Sequence, residues 1–319
     1  MIRTLWELAR PRLLPFVLAL AAAGFGWAHW DRALFFTGGR DLLWVLAAWT
    51  ALHAGTLWWN AALDQDSGEV LYGTAVPVPD GVGRWGLGAL VLAVILALPA
   101  GATAFAAVAV CAVLAVLYSL PGTAWKGHPL GGPLVNLVGY GWLTPLAGWS
   151  VVGVDLNART AAVCVGLASG VLGTYFAAQA FQADEDRSRG YRTLVATHGP
   201  RTVLVAARIC VGIALADSMV LAAIGWLPRI CLAGAPAFLW LDHWLAIWSR
   251  QPNGGTEADA REFTRRALRV GFVGVVLAFA QYTWESATGA PVAGLGTAAG
   301  QPGDRSAAEW RRERNTRYR

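Results

Sequence analysis

The sequence predicts an all-α integral membrane protein of about nine transmembrane helices, with its N-terminus in the cytoplasm. Of the 319 residues, 56% are hydrophobic and 14% are charged, and the mean hydropathy is +0.46. Soluble globular chains carry roughly 25% charged residues, so this chain has too little charge to cover a soluble surface. Its apolar residues also fall into runs of the length that spans a bilayer, about 20 residues.

Nine apolar runs are candidate spans. They cover residues 13–30, 42–63, 85–100, 102–119, 130–152, 160–181, 203–223, 227–248 and 267–286. The first run follows several arginines and resembles a secretory signal peptide, but because many spans follow it we expect an uncleaved first helix. Only Pro99, Ala100 and Gly101 separate the third and fourth runs, which predicts a tight helical hairpin.

The chain divides into a membrane domain over residues 1–286 and a tail over residues 287–319. The tail is rich in Gly and Ala and then in Arg, so we expect it to be disordered. With the N-terminus inside, the cytoplasmic segments hold 14 Lys and Arg residues and the opposite loops hold 4. This asymmetry follows the positive-inside rule. Nine spans place the Arg-rich tail outside, so an even number of spans remains an alternative.

The net charge of +5 does not indicate nucleic-acid binding, because the basic residues lie in short loops between apolar runs. Two longer cytoplasmic loops, 64–84 and 183–202, carry acidic clusters directly after an apolar helix. Polar side chains in or beside a membrane helix are functional candidates by default. These two loops therefore contain the first candidates for a functional site.

The first cluster ends the second helix. His53, Leu57, Asn60 and Asp64 recur at i, i+4, i+7 and i+11 and so share one helix face. Two further carboxylates follow, at Asp66 and Glu69. Amide and carboxylate oxygens at this spacing suit Mg²⁺, which commonly bridges to phosphates. The alternative is an ordinary solvated helix end.

The second cluster ends the sixth helix, where Gln179, Gln182 and Asp186 share a face. The neighbouring charged residues are Asp184, Glu185, Arg187, Arg189 and Arg192. Arginine binds phosphate oxygens in bidentate fashion, so the two loops together could bind a metal–phosphate group. The alternative is a plain charged loop.

A third segment on the same side contains Tyr118-Ser119-Leu120-Pro121 and then Lys126, the only lysine of the chain. A single interfacial lysine is commonly a membrane anchor. Its predicted position on the same side as both acidic loops favours a functional role.

These motifs resemble those of the UbiA superfamily of intramembrane prenyltransferases. The stretch 60–69 is similar to the family's first Asp-rich motif, and residues 182–194 are similar to the second from Asp186 onward. The segment 118–148 resembles the family's Tyr-Ser-x-Pro segment with its lysine and the Gly-rich helix that follows it. The resemblance extends from about residue 8 to about residue 286, and the second motif is its specific part.

The chain departs from the family pattern at three positions where the family has metal ligands. Ala61 stands where an Asp is expected after Asn60, Gly68 replaces a later Asp with Glu69 one residue beyond, and Gln182 replaces the leading Asp of the second motif. No Lys or Arg lies between residues 65 and 83. The first motif is therefore degenerate, and the number of metal ions that it binds is open.

The resemblance implies a Mg²⁺-dependent enzyme that transfers a prenyl group from a polyprenyl diphosphate to an aromatic, quinone-precursor-like acceptor within the membrane. It implies catalytic roles for Asp64, Asp186 and Lys126. The implied metal ligands are Asn60, Asp64, Asp66, Glu69, Asp184 and Asp186. The implied diphosphate-binding residues are Lys126, Arg187 and Arg192. The implied acceptor or prenyl pocket consists of His53, Tyr118, Asn136, Tyr140, Gln179 and Gln182.

Two alternatives share this fold. A membrane terpene cyclase would ionise the same diphosphate without an acceptor, and a non-catalytic or transport homologue would have lost the metal site. The altered motif positions favour the second alternative. The motif residues that are retained disfavour it, namely Asn60, Asp64, Asp186, Arg192 and Lys126. We expect an integral membrane location, in the inner membrane if the source is bacterial, with the active-site loops facing the cytoplasm. The sequence does not indicate the oligomeric state.

Overall fold

A computed structural model describes residues 2–32, 38–64, 69–71, 73–74, 76–153, 156–251 and 253–288. Within these ranges the protein is helical except for one antiparallel pair of two-residue strands, β1 Glu69–Val70 and β2 Gly73–Thr74. The α-helices are α1 Ile2–Leu8, α2 Leu14–Arg32, α3 Gly39–Asp64, α4 Val82–Ala97, α5 Ala102–Ser119, α6 Gly131–Asn136, α7 Thr144–Ser150, α8 Ala158–Gln179, α9 Ala183–Ser188, α10 Leu194–His198, α11 Pro200–Ala223, α12 Ala235–Trp248 and α13 Glu257–Thr288.

Seven helical segments of the described chain are long and apolar enough to cross a membrane. They are Gly39–Asp64, Val82–Ala100, Ala102–Ser119, Ala158–Gln179, Pro200–Ala223, Arg229–Trp248 and Glu257–Glu285. The apolar segment Leu14–Trp30 is shorter. Large apolar side chains such as Val91, Ile209 and Phe272 are exposed on these helices, as contact with lipid requires. The predicted hairpin is present, since a short 3₁₀ turn at Leu98–Ala100 joins α4 to α5.

The helices form two packed groups. One buried cluster joins α2, α3, α4, α5 and α7, and a second joins α8, α11, α12 and α13. Small residues permit close helix contacts, as is usual in membranes. For example, a Cβ at Gly86 of α4 would lie 2.7 Å from the backbone nitrogen of Trp59 in α3. The two groups meet where α8 packs against the segment between α6 and α7.

A π-helical segment, Leu137–Leu143, connects α6 to α7 without a break in the helix. Thr144 fixes its position, because its hydroxyl donates to the Gly139 carbonyl oxygen and accepts a hydrogen bond from the indole of Trp49 in α3, both at 2.8 Å. Both Thr144 and Trp49 are fully buried. π-Helical turns occur frequently at functional sites, and this one places Tyr140 beside a cavity described below.

The tightest helix contact yields a test of packing. A Cβ at Gly24 of α2 would lie 1.9 Å from the Pro145 carbonyl oxygen of α7, whereas a Cβ at Gly26 would have no neighbour within 4 Å. Gly24→Ala should therefore lower the unfolding free energy by about 1–3 kcal/mol, since backbone atoms must move apart. Gly26→Ala should leave it within about 1 kcal/mol of the wild type. Thermal unfolding in one detergent compares the two variants, and equal stability would contradict the described α2–α7 contact.

Candidate active site

The end of α3, the loop after α5 and the α9–α10 segment come together at one end of the bundle. The Lys126 ammonium contacts the Asp64 carboxylate directly and lies 3.3 Å from the Asn60 amide oxygen. The Ser119 hydroxyl at the end of α5 donates to the same Asn60 oxygen at 2.7 Å. The side chains of Lys126 and Asp64 are only 9% and 8% exposed. A buried ion pair is thus the centre of this site.

The α9–α10 segment closes the same group from the other side. The Arg189 guanidinium lies 3.7 Å from Asp64 and donates to Glu185 at 2.7 Å. The Asp186 carboxylate accepts a 2.6 Å hydrogen bond from the Thr193 hydroxyl. The backbone nitrogen of Arg192 donates to the Gly127 carbonyl oxygen at 2.8 Å, which ties this segment to the loop of Lys126. We call Asn60, Asp64, Lys126, Asp186 and Arg189 the ionic centre.

The charges of the ionic centre affect one another. The pKa of Lys126 is lowered to about 8, chiefly by burial and also by the neighbouring Arg189, while Asp186 acts in the opposite direction. Burial also raises the pKa of Asp186, while Thr193, Arg189 and Lys126 oppose that shift. Lys126 therefore remains mostly protonated at neutral pH. The centre holds fixed positive charges beside carboxylates in a poorly solvated place, where electrostatic interactions are stronger than in water.

A cavity leads from Asn60 into the first helix group. Counting its open mouth, it encloses about 900 Å³ and is bordered by α2, α3, α5 and the α6–α7 segment. The lining residues are Arg10, Val17, Trp49, Leu52, His53, Thr56, Leu57, Asn60, Cys111, Leu114, Ala115, Tyr118, Val135, Asn136, Gly139, Tyr140 and Thr144. Most of this surface is apolar, and a few polar groups point toward it. We call it the α3–α5 cavity.

His53 is the unusual polar group of this cavity, because its side chain lies inside a membrane helix and is only 5% exposed. The ring lies close enough to the backbone of Ala9 and Arg10 for weak hydrogen bonds. Neither ring nitrogen has a partner of good hydrogen-bond geometry within the described part of the chain. Burying an unsatisfied polar group is costly, so His53 is suited to contact a bound molecule.

A second chain of polar groups borders the cavity at Tyr118. The Tyr118 and Tyr175 side chains lie close together, and the Gln179 amide donates to the Tyr175 hydroxyl at 2.9 Å. The Asn136 amide instead donates to the backbone of Gly132 at 2.9 Å. Of the six residues expected in the pocket, His53, Tyr118, Asn136 and Tyr140 line this cavity. Gln179 lies behind it, and Gln182 is the residue that precedes α9.

A second cavity of about 880 Å³ lies among α2, α8, α11, α12 and α13. Its lining is almost entirely apolar, with Asp217, Ser218 and Thr174 as its polar groups. It does not include any residue of the ionic centre. Its chemistry therefore suits an apolar chain rather than a charged group.

Three of the expected metal-binding and diphosphate-binding residues lie away from the ionic centre in the structure. Asp184 is fully exposed and pairs with Arg187 at 3.0 Å on the outer side of α9, and the Arg192 side chain is exposed as well. These three side chains do not reach the ionic centre. Asp66 and the side chain of Glu69 lie outside the described residues.

Arg189 is the functional candidate that the sequence patterns did not single out. Arg187 and Arg189 both follow Asp186, but only Arg189 reaches Asp64. Helical spacing carried the necessary signal, since Arg189 stands four residues after Glu185 and three after Asp186 and so shares their face. Ser119 and Thr193 were likewise not expected as partners of Asn60 and Asp186.

The oxygen ligands of the ionic centre can be compared with the needs of Mg²⁺. Among the described residues, no group of three or more His, Cys, Asp or Glu side chains is close enough to hold a metal ion. The oxygen donors of the centre are the Asp64 and Asp186 carboxylates and the Asn60 amide. Mg²⁺ is usually held by one or two carboxylates together with substrate phosphates. These donor types suit one such ion, and in the structure the Lys126 ammonium contacts the Asn60 and Asp64 oxygens.

The buried ion pair yields a test of the geometry. Lys126→Met leaves the Asp64 carboxylate buried without its closest cation, so it should destabilise the protein by roughly 3 kcal/mol. The double variant Lys126→Met/Asp64→Asn removes both charges and should recover a large part of that loss. Thermal unfolding of the wild type, both single variants and the double variant measures this cycle. Strictly additive effects would show that the two side chains do not interact.

Comparisons with known proteins agree with this architecture. The family model described as "UbiA prenyltransferase family" matches residues 13–263. A search of curated proteins gives no significant match. The fold is similar to the structure of a UbiA homolog from Archaeoglobus fulgidus bound to DMAPP and Mg²⁺, with a TM-score of 0.65 and 17% identity over 87% of this chain and 98% of that chain.

Two further structures are similar over nearly their whole length. The same homolog bound to GPP and Mg²⁺ has a TM-score of 0.63 and 15% identity, covering 86% of this chain and 99% of that chain. The apo structure of a UbiA homolog from Aeropyrum pernix K1 has a TM-score of 0.62 and 15% identity, covering 84% and 98%. The family match, the seven apolar helices and the similar folds together show that this chain is an integral membrane protein of the UbiA prenyltransferase family.

Proposed function

We propose that the protein transfers a prenyl group from a polyprenyl diphosphate to a small aromatic acceptor within the membrane. The observation that carries the proposal is the position of the ionic centre. Its cations, Lys126 and Arg189, lie beside Asn60 and Asp64, and Asn60 also lines a mostly apolar cavity. A diphosphate head with an apolar tail has this same division into charged and apolar parts.

The ionic centre accounts for departure of the diphosphate. Lys126 is positioned as a point charge toward phosphate oxygens, and Arg189 presents a planar guanidinium on the other side of Asp64. Fixed positive charge of this kind stabilises the negative charge that develops on the leaving group. A bound Mg²⁺, held by Asn60, Asp64 and Asp186, would add Lewis-acid stabilisation of the same charge. Arg187 and Arg192, which are exposed, could contact an incoming diphosphate only after their side chains move.

The α3–α5 cavity accounts for the second half of the reaction. Its apolar walls exclude water from the allylic carbon, which water would otherwise quench. His53 lies seven residues before Asn60 on α3, which places it about 10 Å deeper along the helix axis. An aromatic acceptor ring placed between His53 and the allylic carbon that carries the diphosphate would span much of that distance. His53, with Tyr118, Asn136 and Tyr140, thus borders the proposed acceptor position.

The proposed orientation puts the ionic centre on the cytoplasmic side. Nine crossings would result if Leu14–Arg32 and the continuous helix from Gly131 to Ser150 join the seven apolar segments. The cytoplasmic N-terminus then follows from the Lys and Arg asymmetry of the loops. In a bacterial cell the enzyme would lie in the inner membrane. Residues 287 and 288 of the predicted tail 287–319 belong to the end of α13, and the rest of the tail lies outside the described residues.

Prenyl transfer by the protein in lipid nanodiscs tests the proposed function. Supplied with Mg²⁺, prenyl diphosphates of several lengths, and phenolic and naphthoic acceptors, the protein should release diphosphate and form a prenylated product. Asp64→Ala and Asp186→Ala should each lower the rate about 100-fold or more, because both remove groups of the ionic centre. Asp80→Ala, at an exposed loop position before α4, is the matched control and should keep its activity.

The two alternatives predict other outcomes of this assay. Release of diphosphate with hydrocarbon or alcohol products, and without any acceptor adduct, would indicate a terpene cyclase instead. Absence of both turnover and prenyl diphosphate binding would contradict enzymatic activity and favour a non-catalytic homologue.

The acceptor position is tested at His53. His53→Leu removes its ring nitrogens and should raise the acceptor KM about 10-fold, the effect of one lost hydrogen bond. Binding of the prenyl diphosphate should stay unchanged, because His53 lies away from the ionic centre. His53→Gln, which keeps a polar donor and acceptor, should restore part of the acceptor affinity. An unchanged KM in His53→Leu, or a loss of prenyl diphosphate affinity, would contradict this role.

A further inference from the structure

Three arginines of α13 lie next to one another on the helix surface, because Arg269 follows Arg265 by four residues and Arg266 by three. The Glu262 carboxylate, one turn earlier, accepts hydrogen bonds from Arg265 at 2.5 Å and from Arg266 at 2.8 Å. The side chains of Arg265 and Arg269 are exposed, and the ion pairs of the described residues do not include Arg269. Three positive charges thus accompany one negative charge. We call these four residues the arginine patch.

Two tryptophans of α12 hold the arginine patch in place. The Arg266 guanidinium lies 4.7 Å from the ring of Trp240 and 5.1 Å from the ring of Trp244, within the range of cation–π attraction. Trp244 in turn stacks on Phe263 of α13. Trp240 keeps 42% of its surface exposed. The patch is therefore an ordered group at the seam between α12 and α13, with an exposed aromatic ring beside it.

The exposed surface of α13 changes from charged to apolar directly after the patch. Phe272 and Val276 follow Arg269 by three and seven residues, so they continue the same helix face, and both are exposed. The patch belongs to the half of α13 nearer the ionic centre, since a Cβ at Gly254, just before α13, would lie 2.4 Å from the Ala180 carbonyl oxygen just after α8. The face thus passes from cations to hydrocarbon as it enters the membrane.

This order of groups matches that of a single phospholipid molecule. Guanidinium groups bind phosphate oxygens in bidentate fashion, and Arg269 and the N–H groups of Arg265 that Glu262 does not use are open to such a contact. Acyl chains attached to the phosphate would cover Phe272 and Val276. The excess of positive charge favours a headgroup of net negative charge over a zwitterionic one. A free phosphate would satisfy the arginines but leave the apolar part of the face uncovered.

We propose that the arginine patch binds one anionic phospholipid of the leaflet on the side of the ionic centre. Its phosphate contacts Arg265 and Arg269, and one acyl chain lies along Phe272 and Val276. The bound lipid would cover the seam between α12 and α13. None of these residues belongs to the ionic centre or to the α3–α5 cavity, so the inference does not depend on the proposed prenyl transfer.

Lipid binding to the delipidated full chain in detergent tests the proposal. The protein is offered equal amounts of phosphatidylglycerol and phosphatidylcholine with the same acyl chains, and native mass spectrometry measures the lipid that remains bound. The wild type should retain phosphatidylglycerol in preference to phosphatidylcholine, and an excess of inorganic phosphate should not displace it. Equal retention of the two lipids would overturn the proposal. Displacement by inorganic phosphate would overturn it as well, because it would indicate an anion site that does not recognise the lipid.

Variants of single exposed arginines separate a defined site from general attraction by a basic protein. Arg269→Gln should lower the affinity for phosphatidylglycerol about 5-fold, the contribution of one arginine near an anionic membrane surface, and should leave phosphatidylcholine binding unchanged. Arg269→Lys keeps the charge and should retain most of the affinity. Arg250→Gln, at an exposed arginine after α12, is the matched control and should equal the wild type. Equal losses in Arg269→Gln and Arg250→Gln would contradict a site at the arginine patch.

Discussion

The contact between Lys126 and Asp64 is the interaction on which the arrangement of this site depends. It joins the end of α3 to the loop after α5, and Arg189 then links the α9–α10 segment to the same carboxylate. Each of these segments follows an apolar helix, so the contact fixes how three helix ends meet. Burying an ion pair has a large desolvation cost, and such pairs are therefore weak sources of stability by themselves. The proposed binding role thus gives this pair a purpose that stability alone does not.

The remainder of the fold positions this pair above a cavity. The long α3 contributes Asn60 and Asp64 at its end and His53 two turns deeper, so one rigid helix sets the distance between the charged and the apolar parts of the site. The π-helical segment brings Tyr140 to the opposite wall, and Thr144 with Trp49 locks that segment to α3. Close contacts at small residues hold the helices together where lipid offers no hydrophobic driving force. The cavity thus rests on helix packing, whereas the loop after α5 and the α9–α10 segment supply Lys126 and Arg189.

Much of this arrangement could be predicted from the sequence. Each predicted apolar run overlaps a helix of the structure, since hydropathy reports membrane helices directly. The motifs also singled out four residues of the ionic centre, because polar residues at the ends of apolar helices are few. These are Asn60, Asp64, Asp186 and Lys126. Helical spacing groups Arg189 with Asp186 and Arg187 with Asp184, but it could not show which of the two faces of α9 meets Asp64, because that depends on how α9 is oriented after the turn that follows α8. The partners Ser119 and Thr193 come from other segments, and only tertiary structure brings them to Asn60 and Asp186.

The most direct test of the account is an experimental structure of the protein with geranyl S-thiolodiphosphate bound in nanodiscs. The account predicts diphosphate oxygens within hydrogen-bond distance of the Lys126 ammonium, and an isoprenoid tail that enters the α3–α5 cavity toward His53 and Tyr140. A diphosphate bound away from Lys126 and Asp64, or a tail confined to the cavity beside Asp217, would contradict it.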